Sequence, residues 1–341
     1  MPTQPTTKFK KYNPQLNPAC PPIRTTRDPG WVFHTAFGSD KNVGALNGGI
    51  CLVTDERPSP VVRKSVKLYM EKKFSADHVR SGIAQREIEA MYQVSDCWYI
   101  VQILDCYLDH ERAVGGIVME QCSMGSLDKQ IERQRNKGRR IGEREVWGWL
   151  FTLSKALVVL HYGPNARDRK YRGDWNMLYH RDIKPANIFL HRETENPAVQ
   201  KGTIVAKLGD LGAASSKFRL DNKIGGATLS WQSFLTFKQP EYPRYSDKSD
   251  IWTLGATFVC ACRLERGYHG HEDPDLPAGE YYSSSLNGIL RKCLEKDVEK
   301  RWTSYQLKTQ LEERLYSEEW KKKMRWEDIE KVDLVKPVKL E

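Results

Sequence analysis

The sequence predicts an α+β fold, and three observations carry that prediction. Short strand-like runs crowd the first third of the chain: Trp31-Val32-Phe33, Ile50-Cys51-Leu52-Val53, residues 61–68, Ile100–Leu104 and Gly116–Glu120. Beyond them the pattern turns helical, and Val146, Leu150, Leu153, Leu157 and Leu160 of GEREVWGWLFTLSKALVVLHYG form one apolar stripe. At residues 178–190, LYHRDIKPANIFL sets short apolar runs on either side of a polar, proline-containing centre. That segment reads as a buried strand–loop–strand holding His180, Arg181, Asp182, Lys184 and Asn187 rigidly.

Composition narrows the class. With 341 residues, 39% hydrophobic and 29% charged, the chain reads as a soluble globular protein long enough for two domains or one large two-lobed one. No apolar run reaches the roughly 18 residues that a bilayer demands, and MPTQPTTKFKKYNP lacks the apolar stretch of a signal peptide, so the expected home is the cytosol or nucleus. The eight cysteines show no CxxC pair and no zinc spacing, which fits free thiols in a reducing compartment. The net charge of +10 is interleaved with acidic residues, so a solvated surface is expected, without direct nucleic-acid binding or membrane association.

The chemistry concentrates around the catalytic-looking loop. Asp182 and Asn187 are five residues apart with Lys184 between them, and Asp210 follows in KLGDLGAA after a further apolar run. Phosphoryl transfer needs these types: one carboxylate to orient a hydroxyl, a carboxylate and an amide for Mg²⁺, and a lysine for the developing charge. On these residues the chain resembles eukaryotic protein kinases of the serine/threonine type. HRDIKPAN matches their catalytic-loop signature residue for residue, and Asp210-Leu211-Gly212 is similar to their metal-binding DFG, with Leu for Phe. VMEQC, HRDIKPANIFL and KLGDLGAA are also similar to the NIMA-related kinases. The resemblance implies a bilobal fold: a small antiparallel-sheet lobe plus one main helix, a hinge near residues 120–124, and a large, mainly helical lobe. Seven prolines and few aliphatic residues make residues 1–30 read as an extended or disordered tail. The resemblance sets an N-lobe at 31–121 and a C-lobe at 122–316, followed by a charged tail at 317–341.

Each element then acquires an expected role. FGSDKNVGALNGG supplies Gly38, Gly44, Gly48 and Gly49 at a strand-to-strand turn, where backbone amides can approach phosphates; its spacing is longer than GxGxxG, and a plain hairpin is the competing reading. In residues 61–68, alternation puts Val62 and Lys64 on one face, so the resemblance implies Val62 against adenine and Lys64 on the first two phosphates, with Lys67 as the rival lysine. SADHVRSGIAQREIEAMYQV reads as one helix, in which Glu87 would pair with that lysine and Met91 pack behind it. Met119 would back the adenine pocket, while Glu120 to Cys122 offer backbone groups to the base. Ser126 is a candidate N-cap for the next helix, and the insert GPNARDRKYRGDWN precedes the catalytic loop without an assigned role.

Past the loop, HRETENPAVQKGTIVAK reads as a hairpin with its tip at Glu195-Asn196-Pro197. Residues 210–241 resemble the segment that admits a peptide substrate and ends in APE, here with Gln239 for Ala and with Phe234 at the family's threonine position. Arg181 is the cation that a phosphate on Thr228, Ser230 or Ser233 would meet. Asp250 is expected to anchor the catalytic loop's backbone, Ser249 to cap the helix that begins there, and Arg301 to pair with Glu241 beside Asp297. Trp320 and Trp326 suggest a docked tail helix rather than a loose tail. The resemblance therefore implies an ATP- and Mg²⁺-dependent serine/threonine protein kinase. Asp182 and Lys184 would be its catalytic pair, Asn187 and Asp210 its metal ligands, and its partners a Ser/Thr protein substrate and either an upstream kinase or itself in autophosphorylation. The competing class is a pseudokinase scaffold, favoured by the irregular glycine loop, Phe234 and Gln239; a small-molecule kinase is a third reading.

Overall fold

A computed structural model describes residues 23–36, 47–57, 67–164, 175–193, 202–216, 239–270, 273–315 and 317. Gly38, Gly44, Val62, Lys64, Thr228, Ser230, Ser233, Phe234, the insert from 165 to 174, the tip at 195–197 and both tryptophans of the C-terminal tail lie outside these residues.

Five strands build an antiparallel sheet in the order β1-β2-β3-β5-β4: β1 Trp31–Ala36, β2 Asn47–Asp55, β3 Leu68–Phe74, β4 Ile103–Asp109 and β5 Val114–Glu120. Two departures from the expected strands stand out. The strand that follows β2 in the sheet is LYMEKKF, beginning where the expected 61–68 run ends. β4 begins three residues after Ile100, because Ile100 leaves the sheet to bridge Leu208 in the other lobe.

The expected single helix is two, α1 Ala76–Arg80 and α2 Ile83–Gln93, broken at Gly82, whose φ of 71° is the left-handed conformation that glycine adopts without steric cost. α2 buries Ile88 and Met91 against the sheet side of the core and carries Glu87 on the same buried face.

The larger lobe is mainly helical: α3 Leu127–Asn136, α4 Glu143–Tyr162, α5 Asp247–Arg263, α6 Ser284–Cys293 and α7 Ser304–Leu315. All five residues of the expected α4 stripe are fully buried, but so are Trp147, Trp149 and Phe151 on other faces. A helix covered on every side is a core helix rather than a surface one. α5 is likewise buried along almost its whole length, and Gly255 lets α6 approach so closely that a Cβ there would sit 2.7 Å from the Cys293 Cβ. Short strands frame the loop between these helices: β6 Gly125–Ser126, β8 Ile188–Arg192 and β9 Ile204–Leu208 form one small sheet, and β7 Leu178–Tyr179 pairs with β10 Ser215–Ser216. The expected hairpin on either side of residue 196 is the β8–β9 pair. Among the described residues no helix is long and apolar enough to cross a membrane.

Candidate active site

Three elements meet where the two lobes face each other, and a lysine joins them. Lys72 on β3 puts its Nζ 2.7 Å from Glu87 Oε1 on α2 and 2.9 Å from Asp210 Oδ1 after β9. The residue that grips Glu87 is thus Lys72, not Lys64, and it stands eight residues further along the chain. Lys67 is also excluded from this role, since it precedes β3 and lies over the Tyr69 ring at 5.9 Å. Val62 loses its expected place with Lys64: the residue two before the lysine, on the same face of β3 by strand alternation, is Met70, and it pairs in register with Met119 of β5.

The electrostatics of the trio follow from burial and from one cation serving two anions. Burial opposes charge on Lys72, yet Asp210 and Glu87 together hold its ammonium above its ordinary value. Burial also pushes Asp210 up, but Lys72 beside it more than compensates, and its pKa falls to about 2. Glu87, 2% exposed, stays raised because burial outweighs the help from Lys72. Gly212 completes the arrangement: a Cβ there would sit 2.9 Å from Glu87 Oε2 and would push that carboxylate aside.

The catalytic loop is held from beneath by one buried carboxylate. Asp250, at the start of α5, accepts the backbone N–H of His180 at 2.9 Å on Oδ2 and that of Arg181 at 3.0 Å on Oδ1. His161 of α4 at 3.0 Å and the Tyr245 hydroxyl at 2.8 Å complete its shell, and His161 in turn meets Ser304 at 2.9 Å. These donors are what a fully buried anion requires. They also hold Arg181 in a left-handed backbone conformation, φ 68°. His180 accepts the Asp182 N–H on Nδ1 at 3.3 Å, so its Nε2 is the end that donates to Gly209 O at 3.0 Å.

Above that frame, Asp182 Oδ2 accepts from Lys184 Nζ and from Asn187 Nδ2, both at 2.9 Å. Asn187 Nδ2 also reaches Asp182 O at 2.9 Å. Both amide hydrogens of Asn187 are then spent, and its carbonyl oxygen is the end left to bind a cation. Asp182 is 4% exposed, and burial raises its carboxyl while Lys184 pulls it back.

Sequence reasoning places several supports correctly and misses others. Arg301 forms the expected fork with Glu241, with Nη2 3.0 Å from Oε2, and Ser249 donates to the same carboxylate at 2.7 Å. Asp297 accepts at 3.0 Å from the Glu299 N–H, holding the turn that carries Arg301. The cap of α5 is Ser246, not Ser249; Ser249 is its N3 partner, accepting the Ser246 N–H at 3.0 Å. Ser126 does occupy the N-cap position of α3 but makes no side-chain capping bond. At the hinge, Met119, Glu120 and Cys122 follow one another between the lobes, with Cys122 buried. Glu120's carboxylate turns away to Lys207 Nζ at 2.6 Å and to the Gln102 N–H at 2.9 Å. Lys207 is 1% exposed on β9, and the one sequence signal for it is its place three residues before Asp210. Of the glycines, Gly49 lies in β2 with φ 128° and open space beside it.

The residues present fit Mg²⁺ and a nucleotide triphosphate. Asp210 is ionised throughout the physiological range and Asn187 offers a neutral oxygen, a hard-donor pair suited to a cation that keeps phosphate and water as its other ligands. Lys72 offers the cation that phosphates need, and Met70 and Met119 lie side by side on the sheet just before the 120–122 segment.

A small five-stranded lobe carrying a lysine–glutamate pair, facing a helical lobe carrying Asp182, Asn187 and Asp210, defines a bilobal α+β class. The family model described as "Protein kinase domain" matches residues 48–311, and the chain belongs to that family. Its relatives include the G2-specific protein kinase fin1 of Schizosaccharomyces pombe, 33% identical over 227 residues, which span 61% of this chain and 30% of the relative. Human serine/threonine-protein kinase Nek5 is 34% identical over 157 residues, 46% of this chain and 18% of Nek5. The MAP kinase kinase skh1/pek1 of S. pombe is 32% identical over 222 residues, 60% of this chain and 54% of the relative. The chain thus spans less than two thirds of the length of each.

Proposed function

We propose that the chain transfers the γ-phosphate of ATP, with Mg²⁺, to a serine or threonine hydroxyl of a protein. The observation that carries this reading is Lys72, gripped at once by Glu87 and Asp210, because that bridge aligns β3 and α2 of one lobe with the metal-binding turn of the other. Lys72 would hold the non-transferred phosphates, and the hinge backbone from Glu120 to Cys122 the base. Asp210 and Asn187 would hold Mg²⁺, which neutralises charge on the phosphates when bound. Asp182 accepts or orients the acceptor's hydroxyl proton, and Lys184, 2.9 Å from it, is placed to offset charge on the group in transfer. A cavity of about 820 Å³ beside Lys184, Pro185, Asp128 and Glu265 gives a peptide room next to these groups.

Autophosphorylation or an upstream kinase would supply activation, as Arg181 beside Asp182 suggests. Seven buried cysteines, all free among the described residues, support a reducing compartment, the cytoplasm or the nucleus. The pseudokinase reading is favoured by one observation: Met70 stands where a small residue would meet adenine. Labelled ATP and a generic protein substrate, with parent and Asp182→Asn run side by side, separate the readings. Phosphotransfer by the parent and loss in Asp182→Asn is the expected result; equal signals would sink the enzyme.

A further inference from the structure

Glu71 precedes Lys72 on β3 and faces the other side of the sheet, where a charge would ordinarily be solvated. Instead it is 1% exposed. Its partner is Arg27, whose Nε lies 2.6 Å from Oε1 and Nη2 2.9 Å from Oε2, a two-pronged pair across 44 positions of sequence. The Tyr107 hydroxyl donates to Oε1 at 3.2 Å and the Cys51 thiol to Oε2 at 3.5 Å, so β2 and β4 converge on the same carboxylate.

Arg27 lies in a short strap, residues 23–30, laid across the outside of the sheet; this end of the proline-rich segment is therefore not the disordered tail expected, because its arginines find acidic partners on the sheet. The Leu108 N–H donates to Arg24 O at 2.7 Å, and Arg24 also pairs with Asp105, which accepts the Trp31 indole N–H at 2.7 Å. Ile23 packs against the main core. The family match begins at residue 48, so neither the strap nor β1 belongs to the matched span.

We propose that Arg27 is a positioning residue for Lys72: by clamping Glu71 it fixes the height and register of β3, and so the distance from Lys72 to Glu87 and Asp210. Burial alone would raise Glu71, and Arg27 is what keeps its carboxyl below the ordinary value. Without Arg27 the carboxylate keeps only the neutral Tyr107 and Cys51 donors and no counter-charge, so β3 shifts to bring it towards water. The strap is thereby part of the nucleotide site without touching the nucleotide. The proposal rests on the kinase reading only where it speaks of catalysis.

The test uses the full chain as Arg27→Met, Arg27→Lys and the double variant Arg27→Met/Glu71→Met. Hydrogen exchange of residues 69–73 reports β3 directly, and KM for ATP against kcat reports the site. Arg27→Met should speed exchange in β3 but not in α4 or α5 and raise KM for ATP about 5-fold or more, with a smaller change in kcat. Arg27→Lys, a point charge without the planar fork, should fall between it and the parent. The double variant, which leaves no orphaned charge, should return both readouts towards the parent. Faster exchange spread evenly over the chain, unchanged β3 exchange, or a double variant no better than Arg27→Met would overturn the proposal. If the parent itself transfers no phosphate, the catalytic reading falls while the exchange measurements still decide the strap's role.

Discussion

Replacing Lys72 by Met removes one cation from between two carboxylates, and the structure sets the size of the loss. Glu87 is 2% exposed and, among the described residues, its Oε1 is held by Lys72 alone, while Asp210, with a side chain 38% exposed, can turn to water. The cost therefore falls mainly on Glu87. Stripping the partner from a buried charge costs ~3–5 kcal/mol, and the lower end applies where one anion is half-solvated. About 3 kcal/mol in a chain of 341 residues is a fall of on the order of 4 °C in Tm.

The pH dependence gives the sharper signature. Glu87's folded pKa is raised, chiefly by burial, so its contribution to stability is present at low pH and is lost as pH rises through the folded value. Without Lys72 that value climbs further. Asp210, held at about 2, contributes stability above its unfolded pKa and loses it as pH falls towards 2; Lys72→Met removes this contribution at neutral pH. The Tm deficit of Lys72→Met relative to the parent should thus be widest near pH 8 and narrow towards pH 5, and adding Glu87→Gln should recover much of it. Differential scanning fluorimetry of the three proteins from pH 5 to 8 makes the comparison. A deficit that does not change with pH, or a double variant as unstable as the single one, would refute the reasoning.

Further outcomes follow from the same geometry. Arg301→Ala leaves Glu241 with only Ser249 beside it and should destabilise by ~3 kcal/mol, read as an equilibrium unfolding midpoint in urea. Asp250→Asn keeps the shape but weakens acceptance from His180 N, Arg181 N and Tyr245; it should lower kcat while leaving nucleotide affinity within about twofold, measured by single-turnover kinetics and titration. Lys207→Met leaves the Glu120 carboxylate held only by the Gln102 N–H among the described residues and should raise KM for ATP more than it lowers kcat in a steady-state assay.

How much of this was legible in the sequence depended on whether the cause was local. The catalytic loop was, because HRDIKPAN carries its own frame, and so were the α4 stripe and the Arg301–Glu241 pair. The position of the lysine was not. VVRKSV has the β-branched pattern of a strand, whereas LYMEKKF holds three charges, and local reasoning treats charges as solvated. Glu71 and Lys72 are instead buried by partners as far away as Arg27 and Asp210, contacts that no window of sequence contains. The break between α1 and α2 did have a local signal in Ser81-Gly82, outweighed by the apolar periodicity on either side. β4 shifted because Ile100 was claimed by Leu208 in the other lobe, again a tertiary cause.

The most direct measurement is calorimetric titration of ATP into the parent and into Asp210→Asn, each with and without Mg²⁺. The parent should bind ATP more tightly when Mg²⁺ is present, and Asp210→Asn should lose that enhancement while remaining folded. Equal enhancement in both proteins, or no ATP binding by the parent at all, would mean that Lys72, Asn187 and Asp210 do not form one metal–triphosphate site.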